Sequence, residues 1–284
     1  MERVGVVGCG LMGSGIAEIA ARAGADVVVI ERDGDALAAG KARIERSLSR
    51  AVTAGKVPEE EADLARANLS YGEDFTLLSD RQFVIEAVAE DEDTKVAIFK
   101  RLDAVIEDPD AILATNTSSI PIIKLAVTTK RPEQVIGMHF FNPVPVLKLV
   151  EVIASLLTSD ETTARVHEYA KTDLKKRVIT SPDRAGFVVN ALLIPYLLSA
   201  VRMLESGFAS AEDIDTGMMV GCAHPMGPLA LTDLIGLDTT LAVAQSLYEE
   251  FKEPHMAPAP LLSRMVQAGL LGRKSGQGFF SYKS

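Results

Sequence analysis

The chain has 284 residues, 48% hydrophobic and 24% charged, enough for one or two well-packed domains. A formal net charge of −10 argues against a general nucleic-acid binder. Two cysteines far apart in sequence, Cys9 and Cys222, make neither a disulfide framework nor a metal-binding spacing, and they suit a reducing cytoplasm.

Met1-Glu2-Arg3 leads straight into an apolar strand over residues 4–7, so no signal peptide is expected. Residues 11–23 read as a helix, 26–31 as a strand, 36–54 as a long amphipathic helix and 59–68 as a shorter one. Strands at 83–88 and 111–115 flank a helix at 93–106. Strands at 135–140 and 149–153, a helix at 161–173 and a last strand at 177–180 follow. Strands alternating with helices predict a Rossmann-type, doubly wound and mainly parallel sheet. After Ser181-Pro182-Asp183-Arg184 the pattern changes to helix, broken at Gly207, at 225–228 and at 254–260. The expected domains are therefore an α/β domain over 1–182 and an all-α domain over 183–284. The longest apolar run, 185–201, contains Asn190 and Pro195 and is short for a membrane span, so a buried helix is expected.

Gly8-Cys9-Gly10-Leu11-Met12-Gly13 follows the first strand and opens the first helix. Gly8 permits the tight turn, Gly10 lets a pyrophosphate approach the backbone, and Gly13 lets helix and sheet pack closely. The helix start offers free N–H groups to phosphates; a glycine turn that serves packing alone is the alternative. Glu31 ends the second strand, where a carboxylate binds ribose hydroxyls and repels a 2′-phosphate. NAD is thus expected over NADP, with Arg32 opposing the preference. Glu86-Ala87-Val88-Ala89-Glu90 leads to Lys95, plainly read as a helix-start acid and a solvated lysine.

From Lys41 to Lys56, five cations face one anion, Glu45, in an otherwise acidic chain. Arg43, Arg46 and Arg50 share one helical face, with Ser47 beside them and Lys56 just beyond. Such a spot suits an anionic ligand, or it is a solvated charged face. Thr115-Asn116-Thr117-Ser118-Ser119 follows a strand at the sheet edge where open α/β folds bind ligands; it could equally cap the next helix.

Gly137-Met138-His139-Phe140-Phe141-Asn142-Pro143-Val144-Pro145 brings one of only four histidines to the end of a buried strand, then turns on two prolines. The next strand carries a single carboxylate, Glu151. A buried Glu needs a partner, and His139, one loop away, offers one. Glu151 would fix the imidazole tautomer while His139 exchanges a proton near neutral pH. A core histidine and a strand-edge glutamate that never meet is the other reading. Asn190 interrupts the apolar stretch 186–201, where a buried amide needs partners. His224 reads as structural, and His167 and His255 as surface residues.

These blocks, together with the closing Leu271-Gly272-Arg273-Lys274-Ser275-Gly276-Gln277-Gly278-Phe279-Phe280, resemble the 3-hydroxyacyl-CoA dehydrogenase family along the whole chain. The resemblance implies NAD-dependent oxidation of (S)-3-hydroxyacyl-CoA, with 3-hydroxybutyryl-CoA the expected substrate. It implies that His139 and Glu151 are the catalytic dyad, and that Ser118 and Asn190 fix the substrate oxygen. Gly8, Gly10, Leu11, Met12, Gly13, Glu31 and Asn116 are expected along NAD, with Glu90 and Lys95 by its nicotinamide end. Asp91 stands where the family usually has Asn. Ser47, Arg50 and Lys56 are expected at CoA, and a lysine common in the family falls at Ala54. A homodimer is implied, while composition and cysteine spacing lead one to expect a cytoplasmic protein with no metal and no membrane or nucleic-acid partner. Two rivals remain: a dehydrogenase of a free hydroxy or sugar acid such as L-gulonate, and a non-catalytic dinucleotide-binding protein.

Overall fold

The computed structural model describes residues 1–282. Two compact units divide the chain, Met1–Arg184 and a second that starts at Ala185. The first unit runs β1 (Arg3–Val7), α1 (Leu11–Arg22), β2 (Asp26–Ile30), α2 (Gly34–Thr53), α3 (Glu59–Ala67) and β3 (Leu69–Gly72). It continues with β4 (Phe83–Glu86), α4 (Glu92–Val105), β5 (Ile112–Thr115), α5 (Ile122–Ala126), β6 (Val135–Phe140), β7 (Leu149–Ala154), α6 (Asp160–Glu168) and β8 (Arg177–Pro182). The strands form one sheet in the order β3-β2-β1-β4-β5-β6-β7-β8.

The central strands are Val- and Ile-rich and buried on both faces, as strands covered by helices on each side must be. Neighbours run parallel except β6 and β7. From β1 the chain works outward to β2 and β3, then returns to the opposite side at β4. That reversal parts the loops after β1 and β4 and opens the crevice in which such sheets bind ligands.

Several elements differ from expectation, among them the short helix α5, which was not given bounds. β3 was not foreseen: Leu69–Gly72 is a partly exposed edge strand with no apolar run, held by its pairing with β2 and by Leu69 and Tyr71 packed on the core. The strand expected over 83–88 stops at Glu86, whose carboxylate turns back to accept from Val88 N at 2.7 Å. The helix expected over 161–173 is α-helical only to Glu168, then widens into a π-helical turn over Tyr169–Asp173. That turn sets the Tyr169 ring edge-on to Phe83, centroids 5.3 Å apart.

The second unit is helical: α7 (Val189–Glu205), α8 (Ala211–Thr216), α9 (Pro228–Ile235), α10 (Leu237–Phe251) and α11 (Pro260–Gln267). Leu197, Val201, Leu229, Leu247 and Leu262 form its core. A break between α9 and α10 that the sequence reading did not mark falls at Gly236, φ +103°. Two buried aspartates pin the helices. Asp215 accepts from Leu229 N and Ala230 N at the start of α9 (2.8 Å each). Asp233 accepts from Phe279 N and Phe280 N (2.9 Å each) and from Tyr282 Oη (3.0 Å). A Cβ on Gly278 would lie 1.9 Å from Asp233 Oδ1, which explains a glycine there by packing. The closing block is therefore a structural clasp on α9.

Candidate active site

Strand pairing builds the centre of the site. Along the antiparallel β6–β7 ladder, His139 and Glu151 are directly opposite. His139 Nδ1 lies 2.6 Å from Glu151 Oε2, and both side chains are buried. With Glu151 ionised, its oxygen accepts the Nδ1 proton and leaves Nε2 as the exchanging atom. Ser118 Oγ stands 3.0 Å from that Nε2, and the Phe141 ring packs edge-on to the imidazole at 4.7 Å. Ser118, His139 and Glu151 thus form one line, which excludes the reading in which histidine and glutamate never meet.

A second set of charges holds Ser118 in place, the part-exposed Glu90 backed by the buried Lys95 and Glu86. The Glu90 carboxylate accepts from Thr117 Oγ1 (2.5 Å), Ser118 N (2.8 Å), Ser119 N (3.0 Å) and Ser119 Oγ (2.9 Å). Burial pushes the Glu90 carboxyl up, but Lys95 and these hydrogen bonds outweigh it and hold the group below its usual range. Lys95 is 1% exposed and lies 2.6 Å from Glu86 and 3.3 Å from Glu90. The alternative of a solvated lysine is excluded here: Lys95, in the first turns of α4, is buried against Glu86. Glu86 also accepts from Thr115 Oγ1 at 2.7 Å. Asp91, in place of the family's Asn, caps α4 by accepting from Thr94 N at 2.9 Å. Asn116 Oδ1 accepts from Phe140 N at 2.9 Å, tying this loop to the strand that carries His139. Glu86, Thr115 and Thr117 were missed as site residues. Only their place at the C-terminal ends of β4 and β5 signalled them.

At the β1–α1 turn, Gly8 has φ +91°, a conformation that disfavours side chains. A Cβ on Gly13 would fall 1.9 Å from the Gly8 carbonyl oxygen, whereas one on Gly10 would meet nothing within 4 Å. Gly10 is therefore open toward a ligand. No side chain caps the first turn of α1 and no acid lies in it, so the helix start is left for an anion. Beside it is a cavity of about 800 Å³ lined by Gly8, Gly10, Glu31, Arg32, Val88 and Phe75, among others. Glu31 accepts from Cys9 N at 2.6 Å and from Arg32 N at 3.0 Å, so its carboxylate sits over the glycine turn. Arg32 turns to Asp33 at 2.9 Å. Burial and the Glu31 charge push the Cys9 thiol up to about 12, so it stays protonated and unreactive. These residues fit a dinucleotide. Glu31→Ser is expected to cut the preference for NADH over NADPH, measured as the ratio of kcat/KM values, by about tenfold. An unchanged ratio assigns the preference elsewhere.

On α2 the cationic face divides. Arg43 donates to the Cys9 carbonyl oxygen at 2.8 Å, serving the glycine turn rather than the surface. Arg66 on α3 takes up Glu45 through two hydrogen bonds, 2.9 and 3.0 Å. Arg46, Arg50 and Lys56 remain exposed, and Ser47 is half-buried between them. Asn190 belongs to the second unit, as the second residue of α7, and is half-buried rather than buried as its apolar neighbours led one to expect. His224 Nδ1 lies 3.2 Å from Tyr196 Oη, a packing role. Both cysteines are free.

Comparison with known proteins agrees with this geometry. Residues 3–184 match the NAD binding domain of 3-hydroxyacyl-CoA dehydrogenase, and residues 186–282 match its C-terminal domain. The chain belongs to the 3-hydroxyacyl-CoA dehydrogenase family, whose first domain binds NAD. A 3-hydroxybutyryl-CoA dehydrogenase of Mycobacterium tuberculosis is 58% identical over 282 residues, covering 99% of each chain. The crystal structure of M. tuberculosis FadB2 superposes with a TM-score of 0.98 at 58% identity, covering 100% of this chain and 99% of that one. An (S)-3-hydroxybutyryl-CoA dehydrogenase from Ralstonia eutropha gives 0.94 at 46% identity, with full coverage of both.

Proposed function

We propose that the chain interconverts (S)-3-hydroxybutyryl-CoA and acetoacetyl-CoA with NAD, and that His139 is the acid–base catalyst. The line Ser118–His139–Glu151 carries this reading. Bound NAD would supply the acceptor for the hydride of substrate C3. His139 Nε2 takes the proton of the C3 hydroxyl, and Glu151 stabilises the imidazolium that results. Ser118 Oγ holds the substrate oxygen beside Nε2, and Asn190 is its second contact, so geometry supplies part of the rate. Glu90 and Lys95 keep the Ser118 loop fixed at the nicotinamide end. Gly8, Gly10, Leu11, Met12 and Gly13 hold the pyrophosphate, Glu31 the adenosine ribose, and Asn116 braces the loop alongside.

Ser47, Arg50 and Lys56 are assigned to CoA. Arg46 and Arg50 of α2, with Lys56 just beyond it, are exposed and form no ion pair among the described residues, which favours this handle over a free hydroxy or sugar acid. An NADH absorbance assay separates the readings: turnover with acetoacetyl-CoA and none with L-gulonate is expected. No turnover with any substrate would leave a dinucleotide-binding protein. Neutralising Arg46, Arg50 and Lys56 should raise KM for acetoacetyl-CoA, each contributing about 1 kcal/mol and less in high salt. KM for a truncated pantetheine thioester should hardly move. Equal changes for both substrates would make the face merely solvated.

Leu192, Phe208 and Val220 are exposed apolar side chains of the second unit, which supports a homodimer. No helix among the described residues is long and apolar enough to cross a membrane. With two free cysteines, we place the enzyme in the cytoplasm.

A further inference from the structure

The segment between β6 and β7 carries His139 at one end and Glu151 beyond the other, so its shape governs their approach. It folds on itself: Val146 N and Leu147 N both donate to the Pro143 carbonyl oxygen, at 3.0 and 2.9 Å. The carbonyl oxygens of Val144 and Leu147 converge on one atom, Lys176 Nζ, at 2.5 and 2.6 Å. Lys176 is 7% exposed, and among the described residues no carboxylate pairs with it. A buried ammonium without a counter-ion is unfavourable unless it has specific work. Its own backbone is pinned as well, since Lys176 N donates to Ala170 O (2.9 Å) and Arg177 N to Lys148 O (2.6 Å). The same segment meets the dinucleotide helix: a Cβ on Gly15 of α1 would lie 2.8 Å from Val144 Cβ and 3.2 Å from Pro145 Cδ.

We infer that Lys176 is a positioning residue for the His139–Glu151 dyad, its ammonium clamping the segment 143–147 against β8 and against α1. The inference rests on the acid–base role given to His139 above. Lys176 touches neither ring nor carboxylate, and it acts through the backbone that leads from one to the other. The charge of the clamp is adjustable. Burial and the Arg22 guanidinium push the Lys176 ammonium down to about 8. Arg22 faces it from α1, and Lys175 and Arg177 flank it in sequence, with Lys148 just beyond the clamped segment. Arg22 in turn faces Glu18 at 3.6 Å and Glu61 at 2.9 Å, and Asp173 pairs with the chain's amino terminus at 2.9 Å. Below pH about 8 the two carbonyls therefore meet a cation, and above it a neutral amine with weaker hydrogen bonds.

The test is oxidation of 3-hydroxybutyryl-CoA by NAD across pH, with the parent, Lys176→Met and Lys176→Arg. In this direction the base must be unprotonated, which sets the acid limb. The parent should show a second, alkaline decline in kcat centred near pH 8. Lys176→Met should lose about tenfold to a hundredfold in kcat, the scale of a small misplacement, and should lack that decline. Its KM for the acyl-CoA should move far less. Lys176→Arg, which keeps its charge, should recover activity and carry it to higher pH. A folded Lys176→Met with parental kcat and the parental alkaline limb overturns the inference. If neither variant folds, the parent's own NMR signals decide: His139 ring resonances must shift with the same midpoint as the Lys176 Nζ signal. Absence of that common midpoint also overturns it. A parent that turns over no acyl-CoA at all indicts the proposed function instead.

Discussion

Exchanging His139 for alanine is expected to lower kcat by at least ~10²–10⁴-fold, the range of general acid–base catalysis. Nothing else in the site can take over. Ser118 Oγ faces the vacated position but has no accessible proton equilibrium near neutrality, and Glu151 is wholly buried behind the ring. Glu151→Gln should sit within the same range and leave the fold intact. The amide oxygen can still accept the Nδ1 proton, so orientation survives, while the charge that stabilises the imidazolium is lost. If the amide flips, its NH₂ faces Nδ1 and forces the wrong tautomer, the failure that makes the matching change in serine proteases so damaging. Cofactor affinity should be unchanged in both, measured by quenching of NADH fluorescence. A His139 variant that keeps most of its kcat removes the mechanism.

The elements nearest this chemistry were the most legible. β6 was predicted with its bounds, Val135–Phe140, because an unbroken apolar run between turn residues has few other fates. The glycine turn was equally plain, since Gly8, Gly10 and Gly13 follow a strand in the order a dinucleotide demands. Pairing across strands was not legible. His139 and Glu151 are twelve residues apart, and only the β6–β7 register makes them face each other. Their partnership came from the cost of an unpaired buried acid and from resemblance. Lys95 was placed by the nicotinamide end through resemblance, but its burial against Glu86 was not legible, for a related reason. Its helix is weakly amphipathic to the eye, and its partners Glu86 and Glu90 lie on β4 and the following loop, so helical spacing says nothing of the triad. Arg43 misled in the opposite sense: three arginines shared a face by spacing, but one reaches back to Cys9. Asn190 was read as buried because its neighbours are apolar, yet it stands in the first turn of α7, where the chain is still half-exposed.

Replacing Lys95 with methionine is expected to be among the most destabilising single changes in the first unit. Methionine keeps the length and apolar stem of lysine, so packing alone changes little. The loss is electrostatic. Glu86 is 0% exposed, and Lys95 Nζ at 2.6 Å is its cationic partner. Val88 N and Thr115 Oγ1 still donate to Glu86 in the variant, but they bring no charge. Breaking a buried pair from one side typically destabilises by about 3–5 kcal/mol. Against a total stability of roughly 5–15 kcal/mol, that is a large share. It should lower the midpoint of thermal unfolding by about 10 °C in a chain of this size. Neutralising the stranded acid as well, in Glu86→Gln/Lys95→Met, should return most of the loss, because a hydrogen-bonded amide can be buried where a lone carboxylate cannot. Activity separates structure from function in this pair. Lys95 also lies 3.3 Å from Glu90, the carboxylate that gathers Thr117, Ser118 and Ser119. With stability restored, the double variant should still turn over slowly, since Ser118 then rests on a carboxylate whose own counter-charge is gone. A Lys95→Met protein that unfolds with the parent's free energy would mean the buried pair is neutral in stability. One that also retains parental kcat would remove Lys95 from the site altogether.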